Sequence, residues 1–294
     1  MAQRAEIEKP TVWPAFAACA VAFVAGSMAS ASLALAVSWA RTSGKLARLP
    51  DEAVRYVLSP SGFIASNALN AAVLFATAVL GARVGNGSVR PGAALRLGPS
   101  RASALGLASA VAGMIGLSLA CGAATDLLHA RGRSIMDVLA QALRSPTPLR
   151  FALGLVTIAA APALAEESLF RGLLQTRLMP RWGTRWAVVA SSATFAAFHV
   201  DLVQGACAFV AGLFLGWTSV RLGGIRPTVL AHAINNCLFV ALASFATTSA
   251  TTPRADILAL AAGTVLCLAS IATLRTSASL GAGAGVLSEE CGGP

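Results

Sequence analysis

The chain has 294 residues, of which 56% are apolar and only 12% charged, with a mean hydropathy of +0.72. A soluble domain carries about 25% charged residues, so a water-soluble fold is excluded, and a β-barrel would need weak alternating segments of about ten residues instead. The net charge of +10 does not point to nucleic acid, because the basic residues sit mainly in links between apolar runs, as in loops near anionic headgroups.

Crossing a hydrocarbon core of about 30 Å takes roughly 20 apolar residues. Eight such runs follow one another, at 13–40, 61–82, 104–128, 151–174, 186–201, 204–220, 228–246 and 256–274. They predict an all-α polytopic bundle. Residues 1–12 are an N-terminal segment, 13–274 the transmembrane domain with a motif-bearing core at 151–246, and 275–294 a Gly-rich tail expected to be disordered. The first run offers small-residue cleavage sites. It is longer than a usual signal-sequence core, however, and Glu6 and Glu8 offset its basic flank, so it reads as a retained helix. Between the third and fourth runs, Ile135, Val138, Leu139 and Leu143 recur at helical spacing. This predicts an amphipathic helix over 134–145, either lying at the interface or packed on the bundle. Trp182 and Trp186 flank the 181–186 turn and read as interfacial anchors. With the N-terminus inside, the inner segments carry twelve Lys and Arg and the outer ones nine, a small excess in favour of that orientation. Six cysteines are scattered, five of them in apolar runs and none in a C-x-x-C pair, and read as small buried hydrophobes.

Intramembrane charge is costly and marks function by default. Glu166-Glu167-Ser168-Leu169-Phe170-Arg171 follows an uncharged stretch from Phe151 to Ala165. On a helix, residues four apart are neighbours and adjacent ones diverge by about 100°. Glu167 therefore faces Arg171, while Glu166 faces elsewhere without a local cation. One carboxylate is fixed and the other left free, the asymmetry a general base needs. Phe195 and His199 share a face, and two of the three histidines lie in predicted spans. His232 and Asn236 also share a face and offer donors toward one point, as an oxyanion stabiliser would; Asn235 beside them reads as structural. Asp126, Asp201 and Asp256, at span ends, read as interfacial.

A hairpin turning near 181–184 puts Glu166 and His199 about sixteen residues from the turn on either side, at matching depth. His232 is only about five residues past Pro227. It reaches that depth only if the 175–185 hairpin projects into water or the 221–227 loop dips inward.

A buried carboxylate, two imidazoles and a carboxamide suit water-mediated attack on an acyl carbon. "GLSLA" at 116–120 is not a G-x-S-x-G elbow, and no H-E-x-x-H occurs. A proton-coupled transporter would spread such groups over pseudo-symmetric halves, whereas here they lie in spans four, five and seven. A non-catalytic peptide-binding immunity protein would tolerate loss of the Glu166 charge.

The three motifs, Glu166-Glu167-x-x-x-Arg171, Phe195-x-x-x-His199 and His232-x-x-x-Asn236, resemble the signatures of the CPBP intramembrane proteases, also called the CAAX-protease and bacteriocin-processing, or Abi, family. The resemblance covers about 151–246. It implies a helical membrane endopeptidase in which Glu166 and His199 activate water, His232 and Asn236 hold the oxyanion, and Glu167 with Arg171 braces the site. A metal-free site is favoured. Zinc on Glu166, His199 and His232 is the alternative, with an open fourth position. The partners implied are the bilayer and a membrane-associated peptide or protein substrate. The Ala- and Arg-rich composition points to a bacterial inner membrane.

Overall fold

A computed structural model of the chain describes residues 11–84, 89–130, 132, 134–245 and 252–290, with side chains as far as 276. Its helices are α1 (Trp13–Arg41), α2 (Leu49–Val57), α3 (Pro60–Arg83), α4 (Pro91–Ala94), α5 (Ala104–Leu127), α6 (Ile135–Ala142), α7 (Pro148–Gly154), α8 (Ala161–Glu166), α9 (Thr176–Ala197), α10 (Leu202–Arg221), α11 (Arg226–Phe245) and α12 (Pro253–Glu290). Wider π-helical turns at Leu155–Ala160 and Glu167–Gln175 join α7 to α8 and α8 to α9. The first of these precedes Pro162, whose missing N–H and bulky ring disturb the regular ladder to Ile158.

Polar side chains set where several helices begin. Ser59 accepts from Gly62 N (3.1 Å), Ser103 from Gly106 N (3.1 Å), Thr147 from Arg150 N (3.3 Å) and Asp201 from Gln204 N (2.7 Å). Each meets an amide that the first helical turn leaves unpartnered. The packing is that of membrane helices. On α1 the buried positions are Ala15, Cys19, Ala22, Gly26, Ala34 and Ser38, whereas Val21, Val24, Met28 and Leu35 point outward. Small residues let backbones approach, and large apolar ones face lipid.

Among the described residues, seven helical runs are long and apolar enough to cross a membrane. One of them, Pro148–Ala197, spans 50 residues and reverses at Gly183, where φ is +72°. Only glycine adopts that backbone freely. The two halves pack antiparallel: Ser191 Oγ donates to Phe170 O (2.8 Å), and the Phe195 and Phe170 rings meet at 5.2 Å. This run therefore supplies two legs, which cover the fourth and fifth apolar runs of the hydropathy pattern. At the far end α12 continues as helix through Glu290. The Gly-rich tail from 275 lies within and beyond this helix. Residues 291–294 of that tail lie outside the described residues.

The amphipathic segment forms α6, shorter than 134–145 and packed on the bundle. Leu139 and Leu143 join Ile158 and Val240 in an apolar cluster, and Ser145 N donates to Ser244 O (3.2 Å). On the face where α1 begins, Ile225 N donates to Arg96 O (3.2 Å) and Arg101 N to Leu222 O (3.0 Å). Burial holds the Arg96 guanidinium below its ordinary value.

Candidate active site

Glu167, Arg171 and His232 form a fully enclosed centre. Arg171 Nη1 lies 2.9 Å from Glu167 Oε1, and both side chains have no exposed surface. The guanidinium also sits 4.5 Å above the Phe195 ring and reaches Gly212 O at 3.4 Å. Gly212 also lets α10 pack closely on α9, since a Cβ there would stand 2.9 Å from Ser192. Thr176 Oγ1 donates to Arg171 O (3.0 Å), which gives a wide-turn carbonyl a partner.

His232 bridges the two glutamates. Its Nδ1 is 3.2 Å from Glu167 Oε1, and its Nε2 is 3.7 Å from Glu166 Oε2. Glu166 keeps 20% of its side chain exposed, against none for Glu167. The adjacent carboxylates therefore differ as their helical spacing predicts: Glu167 is locked to Arg171, and Glu166 opens to the site. A carboxylate paired with arginine only accepts, so the proton on Nδ1 of His232 points at Glu167, leaving Nε2 toward Glu166.

His199 stands one ring away. Its imidazole packs edge-on against Phe195 at 4.9 Å, and Phe195 in turn is 6.1 Å from the His232 ring. Its Nδ1 lies 3.0 Å from Phe195 O. A carbonyl only accepts, so Nδ1 is the donor and Nε2 carries a free lone pair. The register that sets Phe195 beside Phe170 brings residue 199 level with residue 166. Asn236 lies one turn beyond His232 on α11 and makes no side-chain hydrogen bond among the described residues. Its neighbour Asn235 accepts from Ser118 Oγ (2.6 Å), which pins α11 to α5 and turns Asn236 away from that contact.

The depth of His232 has a physical explanation. Glu167 is sixteen residues from Gly183 and His232 six from Arg226, rises of roughly 24 Å and 9 Å. They meet because the hairpin tip extends beyond the other loops. Gln175 donates to Gly216 O (3.1 Å), Arg177 reaches Val84 O, the carbonyl just after α3, and a Cβ on Gly172 would meet Leu95 O at 2.8 Å. The hairpin tip thus extends past the loops at Leu95 and Leu222, with Leu178 still buried and Trp182 packed on Phe16 of α1.

Among the described residues, no group of three His, Cys, Asp or Glu side chains is placed to hold an ion. Asp201 is more than interfacial. Its Oδ1 caps α10 and accepts from Ser134 Oγ (3.2 Å), and its Oδ2 accepts from Ile135 N (2.8 Å). The cap was legible from an aspartate just ahead of an apolar run; the tie to α6 is tertiary and left no local trace.

Residues 148–238, which contain all three motifs, match the family model of type II CAAX prenyl endopeptidase Rce1-like proteins. No curated protein and no solved structure matches the chain. The matched stretch also carries every contact of the centre described above. Residues 148–238 thus resemble the Rce1-like peptidases of the CPBP family, and the chain is a multi-pass membrane peptidase.

Proposed function

We propose that the chain hydrolyses a peptide bond of a membrane-associated peptide or protein, near its C-terminus or its leader, with water activated by Glu166. The family's description as prenyl endopeptidases supports a lipid-anchored substrate. The observation that carries the reading is the split between two adjacent glutamates, one sealed against Arg171 and one open beside His232.

Glu166 takes a proton from water as its oxygen attacks the scissile carbonyl. Nε2 of His199, its other nitrogen engaged by Phe195 O, accepts the second water hydrogen and orients the nucleophile. With His232 as imidazolium, two carboxylates are balanced by two cations. Its Nε2–H and the Asn236 amide then donate to the developing oxyanion. Glu166 returns its proton to the departing amine, leaving an amine and a carboxylic acid that ionises on release as products. Glu167 and Arg171 fix His232, and Phe195 spaces the two imidazoles. The composition supports a bacterial inner membrane as the setting.

The test is cleavage of a membrane-anchored candidate peptide in nanodiscs, with products identified by mass. Wild type is expected to cleave with or without chelator, and Glu166→Gln is expected to be inactive. Cleavage retained in Glu166→Gln removes Glu166 from the mechanism. Activity lost on chelation and restored by zinc overturns the metal-free assignment.

A further inference from the structure

The chain reverses from α9 into α10 immediately after His199, and beyond Phe198, which packs on Phe170 and Phe23, little apolar packing holds that corner. His199 N donates to Ala196 O (3.1 Å), and Val200 adopts φ +57°, a left-handed conformation that a β-branched residue rarely takes. Val200 and Leu202 are 80% and 88% exposed, so neither side chain anchors the turn. The anchor is the carboxylate between them. Asp201 accepts Gln204 N from α10, and Ile135 N and Ser134 Oγ from the start of α6. Gly205 brings the two helices close, since a Cβ there would stand 3.2 Å from Ala196 O.

We infer that Asp201 is a positioning residue for the reaction: by clamping α6 and α10 to the corner it fixes the orientation of His199. This rests on the reading of His199 as the group that orients water. Strained backbone persists where surrounding contacts over-determine it, and here those contacts converge on one side chain. The tie also couples α6, packed across the end of the bundle through Leu139 and Leu143, to the imidazole.

Two variants separate the clamp from general stability. Asp201→Asn keeps an acceptor for Gln204 N and removes the one that Ile135 N needs. Ile135→Pro removes the donor itself at the first helical position, where proline is tolerated. Ser134 already has the extended backbone (φ −118°, ψ 145°) that precedes proline readily. Each variant is assayed in nanodiscs on a peptide that wild type cleaves, with imidazole nitrogen NMR of His199 and His232 alongside. Both variants are expected to lose about 10²-fold in kcat, with KM changed by no more than about threefold. The His199 ring signals should move and those of His232 stay. In a His199→Ala background, Asp201→Asn should add no further loss. Unchanged kcat, an unmoved His199 signal, or both histidines shifting together overturns the inference. If Glu166→Gln still cleaves, Glu166 leaves the mechanism, while the ring signals still decide whether Asp201 orients His199.

Discussion

Removing Arg171 should destabilise the protein more than removing both members of its pair. Arg171→Met keeps an unbranched apolar stem against Phe195 but leaves Glu167, with no exposed surface, without its cation. Breaking a buried pair on one side costs about 3–5 kcal/mol, a large part of a total stability of about 5–15 kcal/mol. Met cannot replace the 2.9 Å contact to Glu167 or the contact to Gly212 O. Glu167→Gln alone strands the guanidinium instead. In the double variant neither charge remains, and the glutamine carbonyl still accepts from His232 Nδ1. It should recover to within about 1–2 kcal/mol of wild type, because exchanging a whole buried pair for neutral groups is often close to neutral. Equilibrium unfolding in mixed micelles, run as a double-mutant cycle, measures this. A double variant whose loss equals the sum of the single losses would refute the pairing argument.

Val200→Gly relieves a left-handed β-branched residue, worth about 1–2 kcal/mol. Part of that is returned through the freer unfolded chain, so the same unfolding assay should read a net gain of up to about 1 kcal/mol; a loss of that size contradicts the strain. Asp201 should make stability depend on acid. Burial would raise its carboxyl, but the hydrogen bonds from Gln204, Ile135 and Ser134 hold it below the ordinary carboxylate value. A lowered folded value stabilises above the unfolded value and loses that stabilisation as pH falls through the folded one. The Tm difference between wild type and Asp201→Asn should therefore shrink below about pH 4, and a difference that widens in acid counts against it.

Much of this arrangement is legible in residue order because membrane legs are read from apolar run length and a hairpin from symmetric spacing about its turn. Glu166 and Glu167 separate on helical periodicity alone, and the structure keeps that separation across a π-helical turn. The depth of His232 was not legible. It depends on how far 176–185 projects beyond the loops at Leu95 and Leu222, a relation between segments far apart in sequence. Asn235 and Asn236 differ in their spacing from His232, but the partner of Asn235, Ser118 on α5, left no local trace. Asp201 was visible as a cap but not as a clamp, since its second helix begins 66 residues earlier.

The division of labour between neighbouring glutamates is tested most directly by comparing Glu166→Gln and Glu167→Gln as folded proteins in nanodiscs, scoring cleavage per folded molecule against unfolding midpoint. Glu166→Gln should unfold like wild type and cleave nothing measurable, whereas Glu167→Gln should unfold earlier. An active, normally stable Glu166→Gln, or a Glu167→Gln that keeps full stability, would contradict the assignment.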